Sequence, residues 1–338
     1  KGEPWRVLVM LSVVTAILSA FLDNVTTVLL IIPVTILITD ELKVSPYPFI
    51  ITQILASNIG GTATLIGDPP NIMIGSAVGL TFMDFVWNVG PVIPVIMVAT
   101  LIPLRFIYGK QFRVSEEQKK RIMEFKEEEA IENPGLLKKS LFVLGLVITC
   151  FILQRPLGLE SATIALFGAA LLLLISGEDF HNTLEKIEWT TIFFFIGLFV
   201  VVHGLVEVGL ITLLAQKMLG FTGGDMTKTT ILIIWLSAIA SAIVDNIPFV
   251  ATMIPLIKDM SGAMGGPEAI MPLWWALSLG ACLGGNGTII GASANVIVAG
   301  LSERAGYPIG FFRFMAIAFP LMIMSIIIST IYVYWRYL

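Results

Sequence analysis

The sequence predicts an all-α polytopic membrane protein built from inverted repeats, each carrying a re-entrant helical hairpin and a broken transmembrane helix. Three observations predict it. First, hydrophobic residues make up 57% of the 338 positions and charged residues only 13%, with a mean hydropathy of +0.92, whereas a soluble domain carries about one-quarter charged residues. Second, an Asp-Asn pair interrupts an apolar run twice, in LSAFLDNVTT from Leu18 and in SAIVDNIPFV from Ser241. Third, a glycine-rich stretch follows each pair at nearly the same distance, SNIGGTATLIGDPPN from Ser57 and ACLGGNGTIIGASAN from Ala281. Polar groups at membrane depth are expensive, so a polar interruption that occurs twice in each of two copies marks a binding site.

Residues 1–108 form the first repeat, 109–139 a linker and 140–338 the second repeat. Trp5 to Leu22 and Val25 to Thr39 are each short for the roughly 20 residues of a full span, and they meet at Asp23 and Asn24, which predicts a hairpin. Phe49 to Gly60 opens a helix that runs into Gly60, Gly61, Gly67, Pro69 and Pro70 and resumes from Asn71. No unbroken helix survives that density of Gly and Pro, and the freed backbone groups must line a cavity. Phe85 to Tyr108 is expected to cross as an ordinary span. The segment 109–139, with eight Lys or Arg and seven Glu, reads as a cytoplasmic linker, because its basic ends (Arg105, Lys110, Arg113, Lys138, Lys139) fit the positive-inside bias.

In the second repeat, Leu141 to Leu157, Ser161 to Ser176 and Thr190 to Leu219 read as scaffold spans, 229–260 as the hairpin and 271–301 as the broken helix. Phe311 to Trp335 closes the chain, with Tyr332, Tyr334, Trp335 and Tyr337 as an aromatic belt. Counting the hairpin as zero crossings, this repeat crosses an odd number of times, so the two copies point in opposite directions, as in secondary transporters. The second repeat has about ninety residues of apolar helices ahead of its Asp-Asn pair and the first only about twenty, which predicts three further scaffold spans ahead of residue 1. The N-terminus carries no signal-peptide cleavage pattern.

Composition also narrows function. The net charge of −4 and the apolar composition give no footing for nucleic acid. Cys150 and Cys282 sit in apolar segments and form neither a disulfide framework nor a CxxC site. The chain shows no nucleophile with a base, no His-rich cluster and no phosphate loop, so an enzyme is not expected.

Asp23 and Asp245 are the foremost candidates, since a carboxylate at a helix break in the membrane needs a cation, a proton or several N–H donors. The structural alternative is that each caps the returning helix. Asn24, Asn246 and Thr26 can add the neutral oxygens that sodium takes, which makes Asp23, Asn24, Asp245 and Asn246 candidate sodium ligands. In the broken helices, Ser57, Asn58, Thr62, Thr64 and Asn71 align with Ala281, Cys282, Asn286, Thr288 and Asn295, with Ser293 alongside. These are neutral groups suited to an oxyanion or a polyhydroxy solute; close helix packing by the glycines is the alternative. Asp68 has Ala292 as its counterpart and either ends a half-helix or takes part in transport. His203 and Glu207, four apart, read as a satisfied interhelical pair or a proton relay. Arg155 and Glu160 flank a turn as interfacial anchors, and Cys282 reads as a small buried packing residue.

GTATLIGDPPNIMIGSA and the paired Asp-Asn hairpins resemble the ion transporter superfamily, which includes divalent-anion:sodium symporters, arsenical pumps of the ArsB type, the P protein and NhaD-type antiporters. The likeness is closest to the ArsB and P protein branch and covers essentially the whole chain. In divalent-anion members the hairpin tips carry Ser-Asn-Thr motifs that bind sodium and substrate. Here Asp23, Asn24 and Thr26 stand at the first tip, Asp245 and Asn246 at the second, and Pro248 where the second Thr would be. Two carboxylates beside the site would repel a dianion. The resemblance therefore implies proton-coupled efflux of a small metalloid or inorganic anion of the arsenite or antimonite type. Sodium/proton exchange is the runner-up, and a sodium-coupled anion transporter or an ion channel comes after it. It also implies a homodimer in the cell (inner) membrane in contact with lipid, a moving transport domain beside a scaffold, H+ or Na+ as coupling ion with no other cofactor, and, in arsenical-pump relatives, a soluble ATPase partner.

Overall fold

The structure, a computed structural model, describes residues 3–109, 112, 133–177, 179–185, 187 and 189–338. The regular elements among these residues are all helical. Seven described helices are long and apolar enough to cross a membrane, and the protein is an all-α polytopic membrane protein. The linker expected over 109–139 falls largely outside the described residues; its last residues, from Pro134, already belong to the next helix.

The first half opens with α1 (Pro4–Phe21) and α2 (Asn24–Leu42), followed by α3 (Tyr47–Thr62) and, after a break, α4 (Pro69–Val78). Every residue of α3 is buried, which explains its unpatterned apolar sequence: a helix enclosed on all sides has no polar face. Hydrogen bonds set the directions of the first three helices. Thr15 bonds Gln53 and, one turn on, Ser19 bonds Ser57, so α1 and α3 run parallel. α2 begins beside the end of α3, where Ser57 Oγ donates to Asn24 O at 3.1 Å, and only four residues separate its end from the start of α3. α2 therefore runs against α3 and α1, and the chain reverses at Asp23. At 18 and 19 residues, the two arms are each long enough to span; the first has the length expected from sequence, and the second is longer than the segment Val25 to Thr39.

Small residues make the α1–α3 seam close. A Cβ on Gly60 would stand 2.1 Å from Ala16 O, so only glycine admits this approach. The second half repeats the seam. There α13 (Met226–Ile243) lies on α15 (Met271–Gly284), and a Cβ on Gly284 would meet Ala238 O at 2.5 Å. α14 (Asn246–Met260) returns from the second Asp-Asn pair, and after two 3-10 turns the break resumes as α16 (Ser293–Arg304).

The halves interlock reciprocally: α2 packs against α16, and α14 against α4. α16 starts beside Asn58 near the end of α3, and the loop after it reaches back to the end of α2, where Tyr307 OH donates to Asp40 at 2.8 Å. Because the end of α2 adjoins the start of α3, α16 runs antiparallel to α3.

Three expected spans are corrected. Phe85 to Tyr108 is not one helix but α5 (Phe82–Asn88), a 3-10 turn at Gly90–Val92 and α6 (Ile93–Tyr108); Gly90 and Pro91 stop the helix. Leu141 to Leu157 is α7 (Pro134–Ile152) plus a separate short helix, α8 (Gln154–Leu157), ahead of α9 (Ser161–Ser176). After α10 (Phe180–Glu185), the segment Thr190 to Leu219 divides into α11 (Trp189–Glu207) and α12 (Leu210–Thr222), because Gly209 turns the chain at φ 74°. α12, at 13 residues, is too short to span. α17 (Phe311–Tyr337) closes the chain.

The expected aromatic belt at the end of α17 splits in two. Trp335 is 86% exposed, while Tyr332 and Tyr337 turn inward to donate to Asn88 at 2.8 and 3.0 Å. α7, α9, α11 and α12 leave large apolar residues open, such as Leu166, Phe193, Val200 and Phe221. Such a surface is stable against lipid or another apolar helix and not against water.

Candidate functional site

The ends of α3 and α15 and the starts of α4 and α16 meet in a buried polar cluster. Asn58, Asn71 and Asn295 are fully buried, and Asn286 is 1% exposed. Asn58 comes from the first half and spans the junction, with Nδ2 donating to Asn286 Oδ1 at 2.9 Å and to Asn295 Oδ1 at 2.8 Å, while Oδ1 accepts from Asn24 Nδ2 at 3.2 Å. Asn71 mirrors Asn295. Its Oδ1 accepts from Ser278 Oγ at 2.7 Å and from Cys282 Sγ at 3.4 Å, both in the second half.

The breaks are held open by the same device in each copy. Asn71 Nδ2 donates to the carbonyls of Thr62 and Thr64 at 3.1 and 2.9 Å; Asn295 Nδ2 donates to those of Gly285 and Thr288 at 2.7 and 2.9 Å. Carbonyls freed by an interrupted helix need such partners inside a membrane. The threonines pin the breaks to the hairpins: Thr64 Oγ1 donates to Ala20 O at 2.5 Å and Thr288 Oγ1 to Ala242 O at 2.6 Å. Thr62 bonds back to Asn58 O within its own helix. Gly67 and Gly291 let the returning chain touch the hairpin, since a Cβ would stand 2.5 Å from Ser19 O and 2.8 Å from Ser241 O respectively.

Asp23 and Asp245 are only partly buried, and each caps the helix that follows. Asp23 Oδ1 accepts from the backbone N–H of Val25 and Thr26 at 2.8 and 3.0 Å, and its Oδ2 from the Thr26 hydroxyl. Asp245 Oδ1 accepts from Ile247 N at 2.9 Å and Oδ2 from Ser293 Oγ at 2.8 Å. The candidate sodium ligands thus have their carboxylate oxygens turned toward donors, while Asn24 and Asn246 give their amide N–H to Asn58 and Asp68. Among the described residues, no group of three or more His, Cys, Asp or Glu side chains is placed to hold a metal ion. Asp68, by contrast, is 1% exposed at the head of α4, within the cluster.

Residues outside the cluster have local roles. His203 and Glu207 face each other at 3.5 Å on one helix, and both are largely exposed, so they do not link helices. Arg155 pairs with Asp84 at 2.7 Å, and Gln154 Oε1 accepts from Phe82 N at 3.2 Å, which ties α5 to the α7–α9 connection. Cys282 is fully buried, and its thiol meets Asn71.

Sequence reading overlooked Ser19, Ser241 and Ser278. Ser19 Oγ donates to Ser57 O at 2.7 Å and Ser241 Oγ to Ala281 O at 2.6 Å. Each stands four residues before the Asp of its pair, a signal present in both copies. Ser278 had none, because Ile54 stands at the equivalent place in the first copy.

Two cavities, of about 500 and 610 Å³, flank α4. The first lies between Gly75 and Ser76 of α4 and the Gln154–Ala165 region; the second lies between Met73 of α4 and Phe199 and His203 of α11.

Comparison with known proteins identifies a membrane transporter. A family model described as citrate transporter, CitMHS, matches residues 1–280. An uncharacterized transporter of Mycobacterium tuberculosis is 43% identical over all of this chain and 78% of its own length. A 46 kDa membrane protein of Mycobacterium leprae is 40% identical over the whole chain and 79% of its own length. The P protein of Mus musculus is 34% identical over 98% of this chain, which spans 49% of that longer protein. The buried amide cluster at paired helix breaks thus belongs to a multi-pass membrane transporter, and the chain is a member of the CitMHS citrate-transporter family.

Proposed function

We propose that this chain is a secondary active transporter that exports a small metalloid hydroxide or inorganic oxyanion, of the arsenite or antimonite class, in exchange for protons. One observation carries this reading. Both halves contribute to one buried cluster whose hydrogen-bonding groups are amides, hydroxyls and a thiol, with Asp68 as its only charged member. Such a lining matches a neutral polyhydroxy solute, because amides and hydroxyls both donate and accept. An anion of multiple charge would meet the carboxyl group of Asp68 there.

Alternating access is the mechanism that a closed central site requires. The antiparallel course of α16 and α3 and the reciprocal packing of α2 on α16 and α14 on α4 support inverted repeats around the cluster. A hairpin adds an even number of crossings whether it re-enters or spans, so its arm length does not alter the relative orientation. The cavities beside α4 leave it loosely packed toward α9 and α11, which suits a transport unit that slides past a scaffold. The exposed apolar faces of α7, α9, α11 and α12 suit a scaffold that is buried in lipid and in a homodimer of the cell membrane.

The family description favours a second substrate, citrate. Proteoliposomes with a pH-sensitive dye inside separate the readings. Arsenite added to vesicles holding a proton gradient is expected to dissipate it, and sodium and citrate to leave it intact. A gradient that arsenite does not disturb, but citrate or sodium collapses, refutes arsenite/proton exchange.

A further inference from the structure

The three aspartates of the central region are held very differently. Asp23 and Asp245 have all four carboxylate oxygens accepting from N–H or O–H donors. Asp68 is 1% exposed; its Oδ1 receives only Asn246 Nδ2 at 3.5 Å, the limit of hydrogen-bonding distance, and its Oδ2 has no partner. The Cys282 thiol lies against it, but a thiol has one proton to give, and Cys282 Sγ stands 3.4 Å from Asn71 Oδ1. The titratable groups facing Asp68 are Cys282 from α15, Asp245 from the α13–α14 turn and Asp23 from the α1–α2 turn. None of these is a cation, and no ion pair to Asp68 occurs among the described residues.

An ionised carboxylate so placed is costly in a bilayer unless a cation or a proton joins it. Sodium takes several oxygen ligands. The side chains at Asp68 are the Asn246 amide and the Cys282 thiol, which together could offer a sodium ion at most one further oxygen. A proton needs only the free Oδ2. We propose that Asp68 is the proton-carrying group of the transport cycle, one proton for each copy of the chain, with Asp23 and Asp245 as helix caps. This deepens the reading above and rests on it. Oδ2 takes a proton from water on one side, the neutral acid reorients with α4, and water on the other side accepts the proton. The amide of Asn246 suits both forms, with its NH2 toward the carboxylate or its carbonyl toward the acid O–H. Ala292 at the equivalent place in the second copy leaves no second carrier.

Infrared difference spectra of the whole protein in lipid, recorded on raising pH, read this directly through the C=O band of a buried carboxylic acid. The expected result is a band in the wild type that is lost in Asp68→Asn, kept in Asp23→Asn and Asp245→Asn, and shifted in Asn246→Ala. Arsenite flux in Asp68→Asn is expected to lose its pH dependence. A wild type without the band, a band that persists in Asp68→Asn, or wild-type pH dependence of flux in that variant overturns the proposal. Should Asp68→Asn fail to fold, Asn246→Ala decides, and an unshifted band overturns it. If the Asp68 band titrates but arsenite does not move, the substrate reading falls and the proton site stands.

Discussion

Gly60→Ala tests the architecture without reference to substrate. The added methyl would stand 2.1 Å from Ala16 O, 2.4 Å from its Cα and 2.6 Å from its C, all backbone atoms that no rotamer change can move. Ordinary contact lies more than about 1 Å further out, so α1 and α3 must separate by that order. Separation stretches the bonds along the seam: Thr15 to Gln53, Ser19 to Ser57 and Thr64 to Ala20. Overpacking costs about 1–3 kcal/mol and each weakened interhelical bond about 0.6 kcal/mol, giving a loss of about 3–5 kcal/mol in all. Thermal unfolding of the purified protein in detergent is the assay, with Gly284→Ala as the second-copy equivalent. Gly197→Ala is the control, because a Cβ there meets nothing within 4 Å. If Gly60→Ala melts with the wild type while expressing at normal levels, the close seam is not as described.

Three further outcomes are expected. Asp23→Ala and Asp245→Ala should each destabilise by about 1 kcal/mol in the same melting assay, and the Asn variants by much less, since Asn caps as well as Asp. Asn58→Ala should leave the amide oxygens of Asn286 and Asn295 short of a donor and cost about 1–3 kcal/mol, with an Asn58→Ala/Asn295→Ala double variant losing less than the sum of the singles. Additive losses would mean that the amides act independently. Arg155→Ala should shift stability by less than about 1 kcal/mol, because the guanidinium is 71% exposed and its pair with Asp84 is screened; a larger loss would make this tie structural.

Much of this molecule was legible from residue order. Hydropathy identifies a membrane protein, because the cost of a charge in hydrocarbon restricts composition over the whole chain. The double Asp-Asn and double glycine stretches locate the chain reversals and the helix breaks, because Gly, Pro and Asp act on the backbone next to them. The same local rule misplaced some boundaries: the turn at Gly209 and the stop at Gly90 and Pro91 were visible as residues, but the apolar runs on either side outweighed them.

Tertiary structure decided which polar residue does what. From sequence, Asp23 and Asp245 look like the charges that matter most because they recur, and Asp68, which does not recur, reads equally as the end of a half-helix or as a transport residue. Folding reverses the contrast. The recurrent aspartates find backbone N–H groups within three residues, whereas Asp68 is buried against Asn246 and Cys282, which lie far along the chain and whose positions depend on how the two halves interlock. Likewise, Asn58 is one amide among several until α16 brings Asn295 to it from the other half. Local chemistry writes helix ends and breaks into the order of residues, but the environment of a buried charge is set by partners distant in sequence, and only the packed structure brings them together.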